Sequence, residues 1–358
     1  MRNLPIAKLC PGMITAEDVY AEGSSRLLLP KGLVLTDRSI TRLELYSIFS
    51  VKVESSEDTS NPPIPDDISL SERVRTSPEF RNFSRKYDQD ISLLETSLND
   101  IVRQNTPLNT DALMADLIGL LNTSDGRVNI FDMLTNLRSY DDLTYAHAIN
   151  VALICHIFAQ WLHYSPEEVE LATLCGLLHD IGKLMVPEEI LKKPAALSDE
   201  EYEIIKTHTV KGYQKLRQCN ADLRICNAAL MHHERYDGSG YPLGLQGEQI
   251  SPLASLVSLA DVYDAMTSAR VYRGPLCPFY VISLIEAEGY QKYAPGYLLT
   301  FLENIVNTYL LHTVRLSNGE EGKIVYINRQ QISAPTVKVA NRYIDLSAQP
   351  DLSIISIL

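Results

Sequence analysis

No stretch of the 358-residue sequence approaches 18 consecutive apolar residues, which excludes a helical membrane span. The six cysteines, Cys10, Cys155, Cys175, Cys219, Cys226 and Cys277, form no CxxC pair. Several lie in apolar helical runs such as ATLCGLLHD, so they read as buried thiols of a reducing compartment and not as disulfides or a zinc knuckle. Positive charge is short: 32 Lys and Arg against 45 Asp and Glu leave a net charge of −13. General affinity for DNA or RNA is thereby excluded, because it needs a basic face to displace counterions. An anionic ligand would require a locally positive site. The N-terminal MRNLPIAKLCPGMITAEDVY has no uninterrupted apolar stretch after Arg2, so no secretory signal is expected, and a cytoplasmic enzyme or signalling protein fits best. No internal repeat is evident.

What is present is ordinary for a globular chain, 45% hydrophobic and 22% charged, and long enough for a large core with one or two smaller modules. Residues 13–35 alternate like short strands, with GSS at 23–25 between them. Thr36 or Asp37 caps an expected short helix through RSITRLELYSIF, and VKVE reads as a closing strand. These place a small accessory α/β module at 1–55. SSEDTSNPPIPDDISLS is rich in Ser, Pro and Asp, and a linker is expected at 56–75. From 76 to 312 apolar residues recur at helical spacing, as in DISLLETSLNDIV and AINVALICHIFAQWL. Capping boxes at Ser165 with Glu168 and at Ser198 with Glu201 support helices there, the first helped by Pro166. The apolar stripes at about 79–121 allow a homodimer, although packing on the chain's own core is the favoured fate. After His312, alternating runs around an NG turn predict a β-rich appendage over 313–358. The predicted fold class is mainly α, a helical bundle with a small module at each end.

Chemistry concentrates in the histidines. His179 and Asp180 adjoin in LLHDIGK and His232 and His233 in MHHERYDGSGYP, with His147 and His208 on helices before and between. Imidazole and carboxylate are the ligands borderline divalent metals favour, and an aspartate can bridge two ions. Adjacent buried pairs would be costly without partners. Lone histidines on apolar helices, namely His156, His163 and His312, read instead as hydrogen-bonded core residues.

With HDIGK and HHERYDGSGYP in view, the chain resembles the HD-GYP family of the HD phosphohydrolase superfamily. The resemblance spans about 140–310, from YAHAINVA through HDIGKLMVP, KTHTVKGYQKL and HHERYDGSGYP to LADVYDAMTSARVYR. LCPGMITAEDVY also looks like the accessory module that often precedes such domains. The resemblance implies an HD-type helical bundle holding two divalent metals, iron with manganese as the alternative. It makes His147, His179, Asp180, His208, His232, His233 and Asp261 the ligands, with Asp180 bridging. It implies hydrolysis of cyclic di-GMP to the linear dinucleotide or GMP by a bridging hydroxide. Lys183, four residues after His179, is placed on the same helix face to neutralise a phosphate or the leaving oxygen. Asp264 reads either as a partner of a ligand histidine or as a helix-surface carboxylate. Arg270 and Arg273 match positions that hold phosphates in relatives, with surface salt bridges as the bland alternative. Gly238 and Gly240 permit a tight loop, and Tyr241 could touch ligand, partner or core. The family links this loop to cyclic dinucleotide handling and to contacts with partners such as a diguanylate cyclase.

One residue departs from the family's pattern. Four before His147, where relatives carry tyrosine or glutamate, stands Leu143, which cannot ligate a metal. Two metals are therefore expected, not three. The competing reading is a cyclic-dinucleotide receptor or interaction module that keeps the metal scaffold and hydrolyses slowly.

Overall fold

The computed structural model describes the chain outside residues 1, 6–8, 10–11, 21–26, 36–38, 40–42, 44–49, 55–69, 124–128, 138–142, 194–196 and 269–275. Four short strands open it: β1 (Arg2–Pro5), β2 (Val19–Tyr20), β3 (Leu27–Leu29) and β4 (Ser50–Val53). β1 pairs with β4 and β2 with β3, both antiparallel. Leu28, Leu29, Leu35, Leu43, Val51 and Val53 are buried together in a small core separate from the main one. The VKVE strand is thus β4. The GSS turn and most of the helix expected after Thr36 lie outside the described residues.

The expected linker also falls largely outside them, but its last residues are helical: α1 spans Leu70–Thr76. Ser77 then caps α2 (Pro78–Gln104), its side chain accepting from the Phe80 N–H, with Pro78 at a position where its missing N–H costs nothing. Phe83, Tyr87, Leu94, Leu98 and Ile101, spaced by three, four or seven residues along one helix face, are buried in the main core, each contributing about 1.5–3 kcal/mol. The stripe that left room for a dimer is spent on the chain's own interior. α3 (Thr110–Leu121) and α4 (Ile130–Asn136) follow.

α5 (Leu143–Trp161) and α6 (Pro166–Leu178) pack along each other as the central pair. Both expected capping boxes are present: Ser165 with Glu168 opens α6, and Ser198 with Glu201 opens α8 (Asp199–Gln218). A short α7 (Glu188–Leu191) lies between. α9 (Leu223–Met231) and α10 (Pro252–Thr267) complete the wall around the histidines, and α11 (Pro278–Lys292) and α12 (Pro295–Thr308) back it.

Residues 313–357 form five antiparallel strands, β5 (Thr313–Leu316), β6 (Glu321–Tyr326), β7 (Thr336–Val339), β8 (Arg342–Asp345) and β9 (Ile354–Ile357), in the order β8-β7-β6-β5-β9. Val314, Leu316, Ile324, Val337 and Ile354 join the helices' own core. The Glu286 carboxylate on α11 accepts the backbone N–H groups of Ile332 and Ser333 at 2.7 and 3.1 Å, fastening the sheet to the bundle. The alternating runs of the sequence mark the earlier strands of this sheet. The fifth strand, IISI, escapes that pattern because it barely alternates.

Candidate metal centre

The seven singled-out ligand candidates come from five separate pieces of chain and converge. His147 is on α5. His179 and Asp180 lie just beyond the end of α6, His208 is on α8, His232 and His233 just beyond α9, and Asp261 on α10. All except His233, which is half-buried, are buried. Two groups have ligand atoms close enough together to hold an ion: His147, His179 and Asp180, and Asp180, His208, His232 and His233. Asp180 belongs to both. Asp261 adjoins the first group, its Oδ1 lying 3.0 Å from His147 Nε2 and 3.9 Å from His179 Nε2.

Backbone carbonyls fix the protons on three of the imidazoles. Nδ1 of His179 donates to the Gly176 carbonyl at 2.7 Å, Nδ1 of His208 to that of Ile205 at 2.7 Å, and Nδ1 of His232 to that of Ala229 at 3.0 Å. A carbonyl only accepts, so in the neutral ring the Nδ1 of each carries the hydrogen and Nε2 points inward as a bare lone pair. Burial holds His208 neutral, lowering its pKa to about 4, and burial likewise lowers His232 and His233. The inward Nε2 atoms of His208 and His232 therefore face each other without protons. His208 Nε2 is 3.3 Å from His232 Nε2 and 3.3 Å from Asp180 Oδ1, and His179 Nε2 is 3.2 Å from Asp180 Oδ2. Both His179 Nε2 and Asp180 Oδ1 are buried without a hydrogen-bond partner. Lone pairs turned on lone pairs in a dry pocket repel unless a cation stands among them, so the donor set fits borderline divalent metals.

His147 is held differently. Its Nδ1 bonds Asp264 Oδ2 at 2.7 Å and its Nε2 faces Asp261 Oδ1. Burial alone would depress its pKa, but the hydrogen bonds and charges of Asp261 and Asp264 prevail and raise it to about 9. Burial would raise the pKa of Asp180, but positive charge beside it, including the Lys183 ammonium bonded to its Oδ2, outweighs burial and holds the carboxyl ionised. Asp264 is thus a partner of His147 and not a surface carboxylate.

Lys183 reaches the site by a route other than helix periodicity. α6 stops at Leu178, and residues Ile181–Met185 form a tighter 3-10 turn. The Lys183 ammonium bonds Asp180 Oδ2 directly, bringing positive charge to the site. That turn lies hard against α8. A β-carbon on Gly182 would come 1.8 Å from the His208 carbonyl oxygen, so only glycine lets the His179 and Asp180 turn approach His208.

The loop after His233 is pinned by a residue without a sequence-assigned role. Buried Glu234 accepts the backbone N–H groups of Leu243 and Leu245 at 2.7 and 3.0 Å, folding the DGSGYP segment back on itself. Gly240 is needed there: a β-carbon would meet Arg235 N at 2.4 Å. Tyr241 stacks on the His233 ring, centroids 4.6 Å apart, with the Lys206 ammonium 5.7 Å from its own ring centre. Arg270 and Arg273 lie outside the described residues. Leu143 opens α5 one turn before His147, and its side chain is likewise outside them. Two of the lone histidines are partnered as expected, the half-buried His156 with Thr173 at 3.1 Å and the buried His312 with Asp132 at 2.6 Å. His163 is not a core residue: it is exposed, just past the end of α5 at Trp161, in a left-handed conformation with φ 58°.

Residues 129–295 match the family model of the HD domain. A cyclic di-GMP phosphodiesterase of Pseudomonas aeruginosa is 36% identical to it over 207 residues, 58% of this chain and 50% of that protein. A 3'3'-cGAMP-specific phosphodiesterase of Vibrio cholerae is 41% identical over 145 residues, 40% of this chain and 34% of that protein. Among solved structures, an HDG"Y"P protein from Bdellovibrio bacteriovorus has a TM-score of 0.49 and 17% identity, covering 85% of this chain and 99% of that one. The chain spans half or less of the length of these two curated relatives. The resemblance read from HDIGK and HHERYDGSGYP is thus borne out, and the HD domain contains all seven candidate ligands.

Proposed function

We propose that the protein is a metal-dependent phosphodiesterase that hydrolyses a cyclic dinucleotide, with cyclic di-GMP the first candidate and the linear dinucleotide or GMP the product. One observation carries the reading: the Asp180 carboxylate is common to two groups of buried, inward-facing histidines. His147, His179, Asp180 and Asp261 would hold one ion and Asp180, His208, His232 and His233 a second, iron in the first instance and manganese as the alternative. Two such ions supply a nucleophilic water at neutral pH and positive charge opposite the phosphoryl oxygens.

The chain's own residues do the rest. Asp264 and the backbone carbonyls orient the imidazoles. Lys183 presents its ammonium beside Asp180, where a substrate phosphate or the leaving oxygen would gather charge. Tyr241, stacked on His233, offers a substrate-facing ring beside the site, and Arg270 and Arg273 would take the outer phosphates. The relatives' names support a cyclic dinucleotide as the substrate class. The pinned loop around Tyr241 is the surface we assign to a signalling partner such as a diguanylate cyclase. The accessory role of 1–55 and a cytoplasmic location belong to the same proposal, and no described helix is long and apolar enough to cross a membrane. DNA and RNA are not among the proposed partners.

A second reading, a cyclic-dinucleotide receptor with slow turnover, is favoured by Leu143 at the start of α5. Elemental analysis of protein purified without oxygen, followed by incubation with cyclic di-GMP, separates the two. Two ions per chain with turnover supports the enzyme. Two ions with tight binding and no turnover supports the receptor, and fewer than about one ion per chain sinks both. Asp180→Ala should lose metal and turnover together.

A further inference from the structure

α2 lies wholly outside the matched segment 129–295, yet it is bonded to two of the helices that carry the histidines. The Tyr87 hydroxyl bonds Asn150 Oδ1 at 2.5 Å and faces the Ala146 carbonyl, next to His147, at 3.1 Å. Asn99 Nδ2 donates to Tyr145 Oη at 2.8 Å. From α8, the buried Lys215 donates to Asn105 Oδ1 at 2.6 Å and to the Val102 carbonyl at 3.3 Å, at the C-terminal end of α2.

We propose that Tyr87 is a positioning residue for His147, acting through Asn150 and Asp264. The inference rests on the metal-centre reading above. Every link has a fixed direction. Asn150 Nδ2 donates to Asp264 Oδ1 at 2.9 Å, and Asp264 Oδ2 accepts from His147 Nδ1 at 2.7 Å. Ser268 Oγ donates to the same Asp264 Oδ1 at 2.9 Å, leaving Oδ2 for the imidazole. An amide can turn over, and only its partners decide which end faces which. Turned the other way, Asn150 would set its oxygen against the Asp264 carboxylate. The Asp264 carboxylate, which only accepts, sets that orientation, and the Tyr87 hydroxyl, donating to Asn150 Oδ1 from the other end, reinforces it and fixes where the amide sits. Tyr87 is only 1% exposed, so no bulk water can take its place. Its effect on chemistry is indirect: it keeps Asp264 aimed, Asp264 keeps the proton on His147 Nδ1, and Nε2 stays turned toward Asp261 and Asp180.

The test is Tyr87→Phe in the full chain, read by calorimetric titration of manganese into metal-free protein. Manganese affinity should fall roughly tenfold, the low end of what loss of such outer partners costs, with kcat for cyclic di-GMP falling and KM nearly unchanged. In an Asp264→Ala background the same substitution should change nothing further. An affinity equal to wild type, or an undiminished effect in that background, overturns the proposal. Asn150→Ala, which leaves the Tyr87 ring in its core, decides in its place if Tyr87→Phe does not fold. A second readout needs neither metal nor substrate: solvent exchange of the His147 Nδ1 proton in nitrogen-labelled protein should quicken in Tyr87→Phe. Unchanged exchange refutes the role. Manganese binding without turnover in the wild type would refute the phosphodiesterase reading alone, and these two readouts would still judge Tyr87.

Discussion

The α-carbon of Gly182 faces the carbonyl oxygen of His208 so closely that a β-carbon would stand 1.8 Å from it. Both contact atoms belong to backbone, so neither can rotate away. Gly182→Ala should therefore push the 3-10 turn off α8, separating Asp180 from His208, now 3.3 Å apart. We expect a loss of at least about 3 kcal/mol in chemical denaturation together with loss of bound metal. Wild-type stability and metal content in this variant would refute the packing role.

A pH dependence follows from His147. Its folded pKa, raised to about 9 from the ordinary 6.5, means that the metal-free fold is favoured by His147 protonation. That contribution is complete below pH 6.5 and is lost as pH rises through 9. Melting of metal-free protein should accordingly fall across this window relative to His147→Gln, whose curve lacks the step. Because a metal at Nε2 must displace the proton, metal affinity should rise over the same range. Parallel melting curves for the two proteins would contradict the assignment.

Glu234 offers a test of the loop. Removing its carboxylate strands two backbone donors, Leu243 and Leu245. Glu234→Ala should cost about 2–4 kcal/mol and open the DGSGYP loop to proteolysis, whereas Glu234→Gln, which keeps one acceptor oxygen, should cost less. Equal protease resistance in all three proteins would mean that the loop is held by something else.

Local signals were readable in the sequence. Ser165 with Glu168, Ser198 with Glu201, and the HD and HH pairs each occupy a few consecutive positions, so pattern alone exposes them. Relations across the fold were not. Tyr87 and Asn150 are separated by 63 positions, and a tyrosine on an apolar helix looks like any core ring. Glu234 sits inside the most conspicuous motif, but its purpose depends on how the following loop returns. Lys183 reached the site as expected, though its path is a 3-10 turn, because the helix stops at Leu178 where the periodicity argument assumed it continued.

The bonds from α2 also change where the working unit begins. A fragment cut to residues 129–295 would strip Lys215 of its acceptors, take the Tyr87 hydroxyl from the Asn150 amide, and uncover the face against which Phe83, Leu94 and Leu98 pack. Heredity marks one boundary and mechanics another. The smallest piece able to stand and hold its histidines in place should start near Ser77, one helix earlier than kinship alone would draw it.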